Sequence, residues 1–224
     1  RRVVEALKSA GKRIVFVNFS GAAIALEPES LNCEAILQAW YPGQAGGQAV
    51  AEVLFGDYNP AGKLPLTFYR NLAQIPDFED YNMTGSTYRY MKETPLFPFG
   101  HGLSYTTFKY GKLKMNDDKI AVGQNLNLVI PVTNTGSRDG DEVVQVYLKK
   151  MDDTEGPVKT LRAFKRVRIP AGKTVEVKFS LDDTQLEWWD EQSNTMRVCP
   201  GNYTVMIGGT SCEKSLLSRA FTIR

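Results

Sequence analysis

Beyond residue 105 the apolar positions recur with a period of two. Leu126, Leu128, Ile130 and Val132 form one run, and Val144, Val146 and Leu148 a second. Val175, Val177, Phe179 and Leu181 alternate strictly with Thr174, Glu176, Lys178 and Ser180, and Tyr203, Val205 and Ile207 and then Phe221 and Ile223 follow. Successive side chains of a strand point to opposite faces, so each run predicts a strand with one buried face. Turn-forming residues separate the runs at 134–140, 170–172, 200–202 and 208–210. With further strands expected near 108–115 and 161–169, the total is about seven short strands, the pattern of a β-sandwich. Pro200-Gly201-Asn202 places Tyr203 at the head of a late strand, where a tyrosine corner would bond a nearby backbone group.

The first part of the chain reads differently. Val3, Val4 and Leu7 have helical spacing over 1–10, and Gly11 stands where a helix ends. Ile14-Val15-Phe16-Val17 is a continuous apolar run, as in a parallel strand buried on both faces. Ala35, Ile36, Leu37 and Ala39 predict a second such strand, and Ala49, Val50, Val53 and Leu54 a helix stopped by Gly56. Helix, strand, strand, helix is an α/β layer. Two strands are too few for a complete domain of that class, and the sequence opens on Arg1 directly into a helix, so the segment is expected to be the end of a larger domain. Residues 57–105 are broken by Pro60, Pro65, Pro76, Pro95 and Pro98 and carry ten aromatics, among them Tyr58, Phe68, Phe78, Tyr81 and Phe99. A solvated linker has no use for so many rings, so this stretch is expected to pack against its neighbours.

Composition excludes several classes. The 224 residues are 42% hydrophobic and 23% charged with a net charge of +2, ordinary for a globular chain. No Lys/Arg block marks a nucleic-acid surface, and Arg162, Lys165, Arg166 and Arg168 read as the solvated face of a strand. No apolar run approaches the ~20 residues of a membrane helix. Cys33, Cys199 and Cys212 form no metal-binding pattern, and no metal or cofactor is expected. Cys33 reads as a small buried hydrophobe, and pairing between Cys199 and Cys212 stays open.

Hydrolytic chemistry would need two carboxylates about 5–10 Å apart across one bond. Glu27, Glu29, Glu34, Asp57, Asp77, Glu79 and Asp80 are available, but nothing in the sequence singles out a pair. Glu27-Pro28-Glu29 reads as a solvated turn and helix start, and residues 77–80 as an acidic surface loop. His101, the one histidine, lies between two glycines and reads as a packing or hydrogen-bonding residue. No serine sits in a nucleophile elbow. The glycines of Gly43-Gln44-Ala45-Gly46-Gly47 suit close helix packing better than an anion cradle.

Three long motifs carry a resemblance. They are residues 39–65 (Ala39-Trp40-Tyr41-Pro42-Gly43 through Gly62-Lys63-Leu64-Pro65), Tyr88-Arg89-Tyr90 with residues 95–106 (Pro95-Leu96-Phe97-Pro98-Phe99-Gly100-His101-Gly102-Leu103-Ser104-Tyr105-Thr106), and Val132-Thr133-Asn134-Thr135-Gly136 with residues 140–147. In this order they resemble the family 3 glycoside hydrolases over essentially the whole chain. Gln38 to Pro42 and Asp77 to Tyr81 look most like its β-xylosidase branch, with β-glucosidases close behind. The resemblance implies residues 1–75 as the C-terminal part of an α/β sandwich domain, 76–103 as a connector, and 104–224 as a fibronectin-III-like (immunoglobulin-like) β-sandwich. It implies a retaining, exo-acting parent enzyme whose N-terminal barrel supplies the nucleophile and whose acid/base also lies upstream of Arg1. This chain would then hold no catalytic residue and be inactive alone. The substrate would be a β-linked oligosaccharide or aryl glycoside, and the location periplasmic or extracellular. A second reading is a non-catalytic carbohydrate-binding or cell-surface interaction module. Tyr88 and Arg89 also have two readings, as an interdomain clasp or as the rim of a sugar site.

Overall fold

The computed structural model describes residues 2–224. Its first part alternates helix and strand: α1 (Arg2–Ser9), β1 (Val15–Asn18), α2 (Glu27–Asn32), β2 (Ala35–Gln38) and α3 (Gly46–Phe55). β1 and β2 pair in parallel, Val15 opposite Ala35 and Asn18 opposite Gln38, with α2 as the crossover. Gly11 and Gly56 end their helices with φ of 68° and 85°, a conformation that costs a residue without Cβ little. The two strands are not buried on both faces as expected. Val15 is 50% exposed, and Phe16, Val17, Ile36 and Leu37 are only half-buried. The cause is a sheet of two strands with too few layers over it; α1 itself buries no residue and leaves Val3 and Leu7 in solvent.

The segment at Glu27 also departs from expectation. It is the first turn of α2, where Pro28 lacks only an N–H that would have no helical partner anyway. Glu29 is buried rather than solvated, and Cys33 is a half-buried C-cap rather than a core residue.

Residues 57–105 contain a single 3₁₀ turn (Leu72–Gln74) and the one-turn helix α4 (Thr87–Tyr90). Two stretches of this segment run side by side. Leu64 N donates to His101 O at 2.8 Å, Gly100 N to Leu64 O at 2.8 Å, and Phe68 N to Phe97 O at 2.9 Å. Phe68 is fully enclosed, edge-on to Trp40 of the α/β part and to Phe97. Not every ring packs down: Phe78 and Tyr81 are 94% and 89% exposed. Asp77 and Asp80 accept backbone N–H bonds from Glu79 and Asn82, so the acidic stretch closes on itself as turns and holds its rings outward.

The rest is a two-sheet sandwich. Its elements are β3 (Phe108–Tyr110), β4 (Lys114–Met115), β5 (Lys119–Ile120), β6 (Leu126–Asn134), β7 (Gly140–Lys150), β8 (Thr160–Ile169), β9 (Thr174–Leu181), α5 (Asp183–Leu186), β10 (Trp188–Asp190), β11 (Thr195–Arg197), β12 (Gly201–Gly208) and β13 (Leu217–Ile223). One sheet runs β5-β13-β12-β7-β8; in the other β6 is flanked by β9 and by β3 with β4. The alternating runs face inward: Leu128, Ile130, Val132, Val146, Leu148, Val205 and Ile207 are all wholly buried in one core. The strand expected at 108–115 is split at Gly111. Gly111 N donates to Pro131 O at 2.8 Å, and a Cβ there would lie 2.6 Å from Pro131 Cγ. Pro131 has no N–H for the ladder, so the partner strand breaks where the proline sits.

Tyr203 forms the expected corner. Its hydroxyl donates to Cys199 O at 2.8 Å and its ring stacks on Phe221, and burial pushes its ionisation well above the usual tyrosine range. Cys33, Cys199 and Cys212 are free thiols. The basic stretch of β8 is not uniformly solvated. Arg166 and Arg168 pair with Asp141 and Asp139 near the surface, but Arg162 lies over the Trp188 ring at 5.3 Å and donates to Glu187 O at 2.7 Å.

Candidate functional site

The segment 57–105 packs against the sandwich at β7 and β8. Alternation on β7 sends Val144, Val146 and Leu148 into the core and Gln145 and Tyr147 to the outer face of the sheet. That face is covered. Tyr88 stacks on Phe99 (ring centroids 4.5 Å apart) and meets Tyr147 edge-on at 5.8 Å. The Tyr88 hydroxyl accepts from Leu161 N at 3.2 Å, and Arg89 O accepts from Val158 N at 2.7 Å. The Tyr147 hydroxyl donates to Gln145 Oε1, and Gln145 Nε2 donates to Gly209 O at 2.6 Å. A Cβ at Gly100 would lie 2.4 Å from Gln145 Oε1, so the Phe99-Gly100-His101 turn fits only as glycine.

The Arg89 guanidinium takes little part in these bonds. It lies over the Tyr90 ring at 5.5 Å, its buried Nε has no partner, and no carboxylate lies within 4 Å of it among the described residues. Tyr88 and Arg89 are thus adjacent in sequence but differently engaged.

A second contact joins Lys63 to the rim of the sandwich. Lys63 Nζ lies 3.5 Å from Glu142 Oε2 and donates to Gly102 O at 3.1 Å; the Lys63 and Glu142 side chains are 15% and 5% exposed. Tyr110 donates to Glu142 Oε1 at 3.0 Å, and burial followed by the Glu142 charge drives the Tyr110 pKa far up. His101 stacks on Phe97 at 5.1 Å, as a packing residue would. Burial, and secondarily Lys63, holds its pKa below the ordinary imidazole value.

A third contact is a polar cleft of about 450 Å³ beside α3 and β7. Asn59 Nδ2 donates to Asp139 O at 2.9 Å and Asn59 Oδ1 accepts from Tyr105 N at 2.7 Å. Arg138 donates to Gly56 O at 2.6 Å, and Arg166 reaches both Asp141 and the Tyr58 hydroxyl. Tyr58 and Asn59, just past α3, therefore reach β8 and the turn that leads into β7.

Four of the carboxylates weighed from sequence, Glu27, Glu34, Asp77 and Asp80, do local structural work. Glu27 pairs with Arg70 at 3.3 Å. Glu34 accepts from Ile14 N at 2.5 Å, a bond that lowers its pKa. At the carboxyl ends of β1 and β2, Asn18 Nδ2 bonds Ser20 Oγ at 2.8 Å and Gln38 Oε1 at 2.6 Å. Phe19 and Tyr41 stand exposed beside them, and Trp40 adopts φ 56°. The polar residues of β7 and Lys63 were not singled out from the sequence, although they lie inside its longest motifs. Their only signal is a run that stays polar on a face expected to be plain solvent.

Comparison with known proteins places this geometry. Residues 1–105 match the Glycosyl hydrolase family 3 C-terminal domain and residues 142–211 the Fibronectin type III-like domain. The chain is 52% identical over 223 residues to a xylan 1,4-beta-xylosidase of Xylanibacter ruminicola, covering 100% of this chain and 26% of that protein. It is 38% identical to the periplasmic beta-glucosidase of Salmonella typhimurium, covering 95% and 29%. Among solved structures, a β-glucosidase from Erythrobacter marinus superposes with a TM-score of 0.87 at 37% identity over 100% of this chain and 30% of that one. A Listeria innocua beta-glucosidase in complex with isofagomine gives 0.85 at 26% identity over 99% and 32%. The chain spans about a quarter to a third of the length of these relatives. With both domains matched in order and the whole chain superposed, it belongs to glycosyl hydrolase family 3, as the C-terminal part.

Proposed function

We propose that this chain is the non-catalytic C-terminal region of a retaining, exo-acting β-glycosidase, with β-xylosides preferred over β-glucosides. The observation that carries the reading is unbroken similarity from end to end to a xylan 1,4-beta-xylosidase at 52% identity, against 38% to a beta-glucosidase. Glu27, Glu34, Asp77 and Asp80 are engaged in local bonds, which agrees with a nucleophile and acid/base supplied by the remainder of the parent. The apolar side chains left in solvent on the α/β part, Val3, Leu7, Val15, Phe19 and Leu31, form the face that the rest of that domain and the barrel would cover. The one named location among these relatives, the periplasm, supports a periplasmic or extracellular parent. Among the described residues no helix is long and apolar enough to cross a membrane.

In this reading Tyr88 and the backbone of Arg89 are the clasp that holds the connector on the sandwich, rather than a substrate rim. The stack on Phe99 and the bond from Leu161 N support it. The test uses the full-length parent and this chain side by side. The parent should hydrolyse aryl β-xylosides faster than aryl β-glucosides, and the 224-residue chain should hydrolyse neither. Tyr88→Ala should destabilise the chain by about 1–3 kcal/mol, as loss of a half-buried, stacked ring does, and leave KM of the parent unchanged. A large KM increase without a change in melting temperature would reassign Tyr88 to the substrate rim.

A further inference from the structure

A pocket of about 280 Å³ opens between α4, the 153–157 turn and the β10–β11 hairpin, near the lower end of small-ligand sites (~300–1,000 Å³). Its floor is rigid. Trp188 is buried with Nε1 donating to Asp153 Oδ2 at 2.6 Å, and Asp153 Oδ1 accepts from Gly156 N at 2.7 Å. Trp189, the next residue along β10, points the other way and is 50% exposed beside Met196, its cross-strand partner. Half of the Trp189 indole is thus left in solvent on a two-stranded ribbon.

The pocket lining also holds polar atoms without a hydrogen-bond or ion-pair partner among the described residues. Arg89 lies over the Tyr90 ring, and its buried Nε has no hydrogen-bond partner among the described residues. Glu155 and Glu191 are exposed, and neither has a basic group within 4 Å among the described residues. Thr160 Oγ1 and Arg162 Nε, also in the lining, are buried and unpartnered. An aromatic face ringed by both free donors and free acceptors matches the surface of a pyranose, whose C–H face is apolar and whose hydroxyls donate and accept. An anionic ligand fits worse, because Asp153, Glu155 and Glu191 outnumber the two arginines.

We propose that this pocket is a second, non-catalytic site that binds a short neutral pyranose oligosaccharide, with Trp189 as the stacking platform, Arg89 as donor and Glu155 and Glu191 as acceptors. The choice of xylo- or gluco-oligosaccharides among neutral sugars rests on the function proposed above; the site itself does not. The experiment is a tryptophan-fluorescence titration of the 224-residue chain with xylotriose, cellotriose, mannotriose and glucuronic acid. Saturable quenching by xylotriose or cellotriose is expected, weakened at least about tenfold by Trp189→Ala and more mildly by Glu191→Gln. Both positions are solvent-facing, and circular dichroism verifies that the variants fold. No quenching by any neutral sugar, or a Trp189→Ala titration by calorimetry indistinguishable from the parent chain, overturns the site. Tighter binding of glucuronic acid than of any neutral sugar overturns its neutral assignment. Binding of mannotriose alone keeps the site and removes the xylo/gluco assignment. Hydrolysis by the full-length enzyme is measured separately, so loss of one reading leaves the other standing.

Discussion

Residues 108–223 enclose one contiguous core running from Leu113 to Ile223, whereas residues 2–56 bury only Ile14, Asn18, Leu26, Glu29 and Gly46. Both regions are rich in Val, Ile and Leu, so the difference is not one of composition. It is one of closure. The sandwich brings two sheets face to face, and every inward position of one finds a partner on the other. The α/β part offers a two-stranded sheet whose neighbouring helices leave most of it uncovered, α1 burying no residue of its own. An apolar run is therefore a statement about what must eventually lie against it, and this chain satisfies that statement in one region only.

The largest expected effect tests that contrast directly. Ile130→Ala should destabilise the sandwich by about 2–5 kcal/mol, because a rigid, fully buried site relaxes only partly around a cavity. Leu7→Ser in α1, at a 41% exposed position, should change stability by less than about 0.5 kcal/mol and raise solubility. Chemical denaturation of the two variants measures both. If Leu7→Ser cost as much as Ile130→Ala, the α/β part would have a closed core of its own.

A smaller effect tests whether the regions are coupled. Lys63→Met leaves Glu142 buried with the Tyr110 hydroxyl as its partner, and loss of one member of a buried pair should cost about 3 kcal/mol. Adding Glu142→Gln removes the uncompensated charge, and the double variant should recover most of the loss. A double-mutant cycle by thermal melting reads the coupling. Additive losses would mean that the 3.5 Å contact contributes nothing and that rings and hydrogen bonds such as Val158 N to Arg89 O hold the segment without it.

How far the sequence carries depends on which kind of signal a residue gives. Ile130, Val205 and their neighbours were legible because a sandwich strand repeats every two residues and its core is complete within the chain. Tyr203 was legible because Pro200-Gly201-Asn202 fixes where the strand begins. Gln145 and Tyr147 were not: they alternate with core valines and so look solvated, and only the return of Phe99 and Tyr88 over that face buries them. Arg162 failed for the same reason, since Trp188, distant in sequence, supplies its lid. The split at Gly111 followed from a proline on the neighbouring strand, which no local pattern announces. Of the proposed sugar pocket, the sequence shows Trp188-Trp189 and marks Arg89 as a candidate sugar-rim residue, but not that they meet, because α4, the 153–157 turn and β10 come together only in the fold.

The smallest expected effect concerns His101, the only histidine. In the folded chain its pKa lies below the ordinary value because the ring is buried against Phe97 and, secondarily, because Lys63 is near. A lowered folded-state value means that the unfolded chain takes up the proton first as pH falls. The stability contributed by the neutral ring is thus complete above about pH 6.5, the usual histidine value, and is lost progressively as pH falls from there through the lowered folded value. Carboxylates titrate mostly below this window, so a slope in stability between pH 7.5 and 5.5 belongs chiefly to His101. His101→Phe keeps the aromatic stack and removes the titration. Urea midpoints of the parent chain should fall over that interval, and those of the variant should stay nearly level. Equal slopes for the two would show that the imidazole reaches water in the folded chain, and the junction around Lys63 would then be more open than its distances indicate.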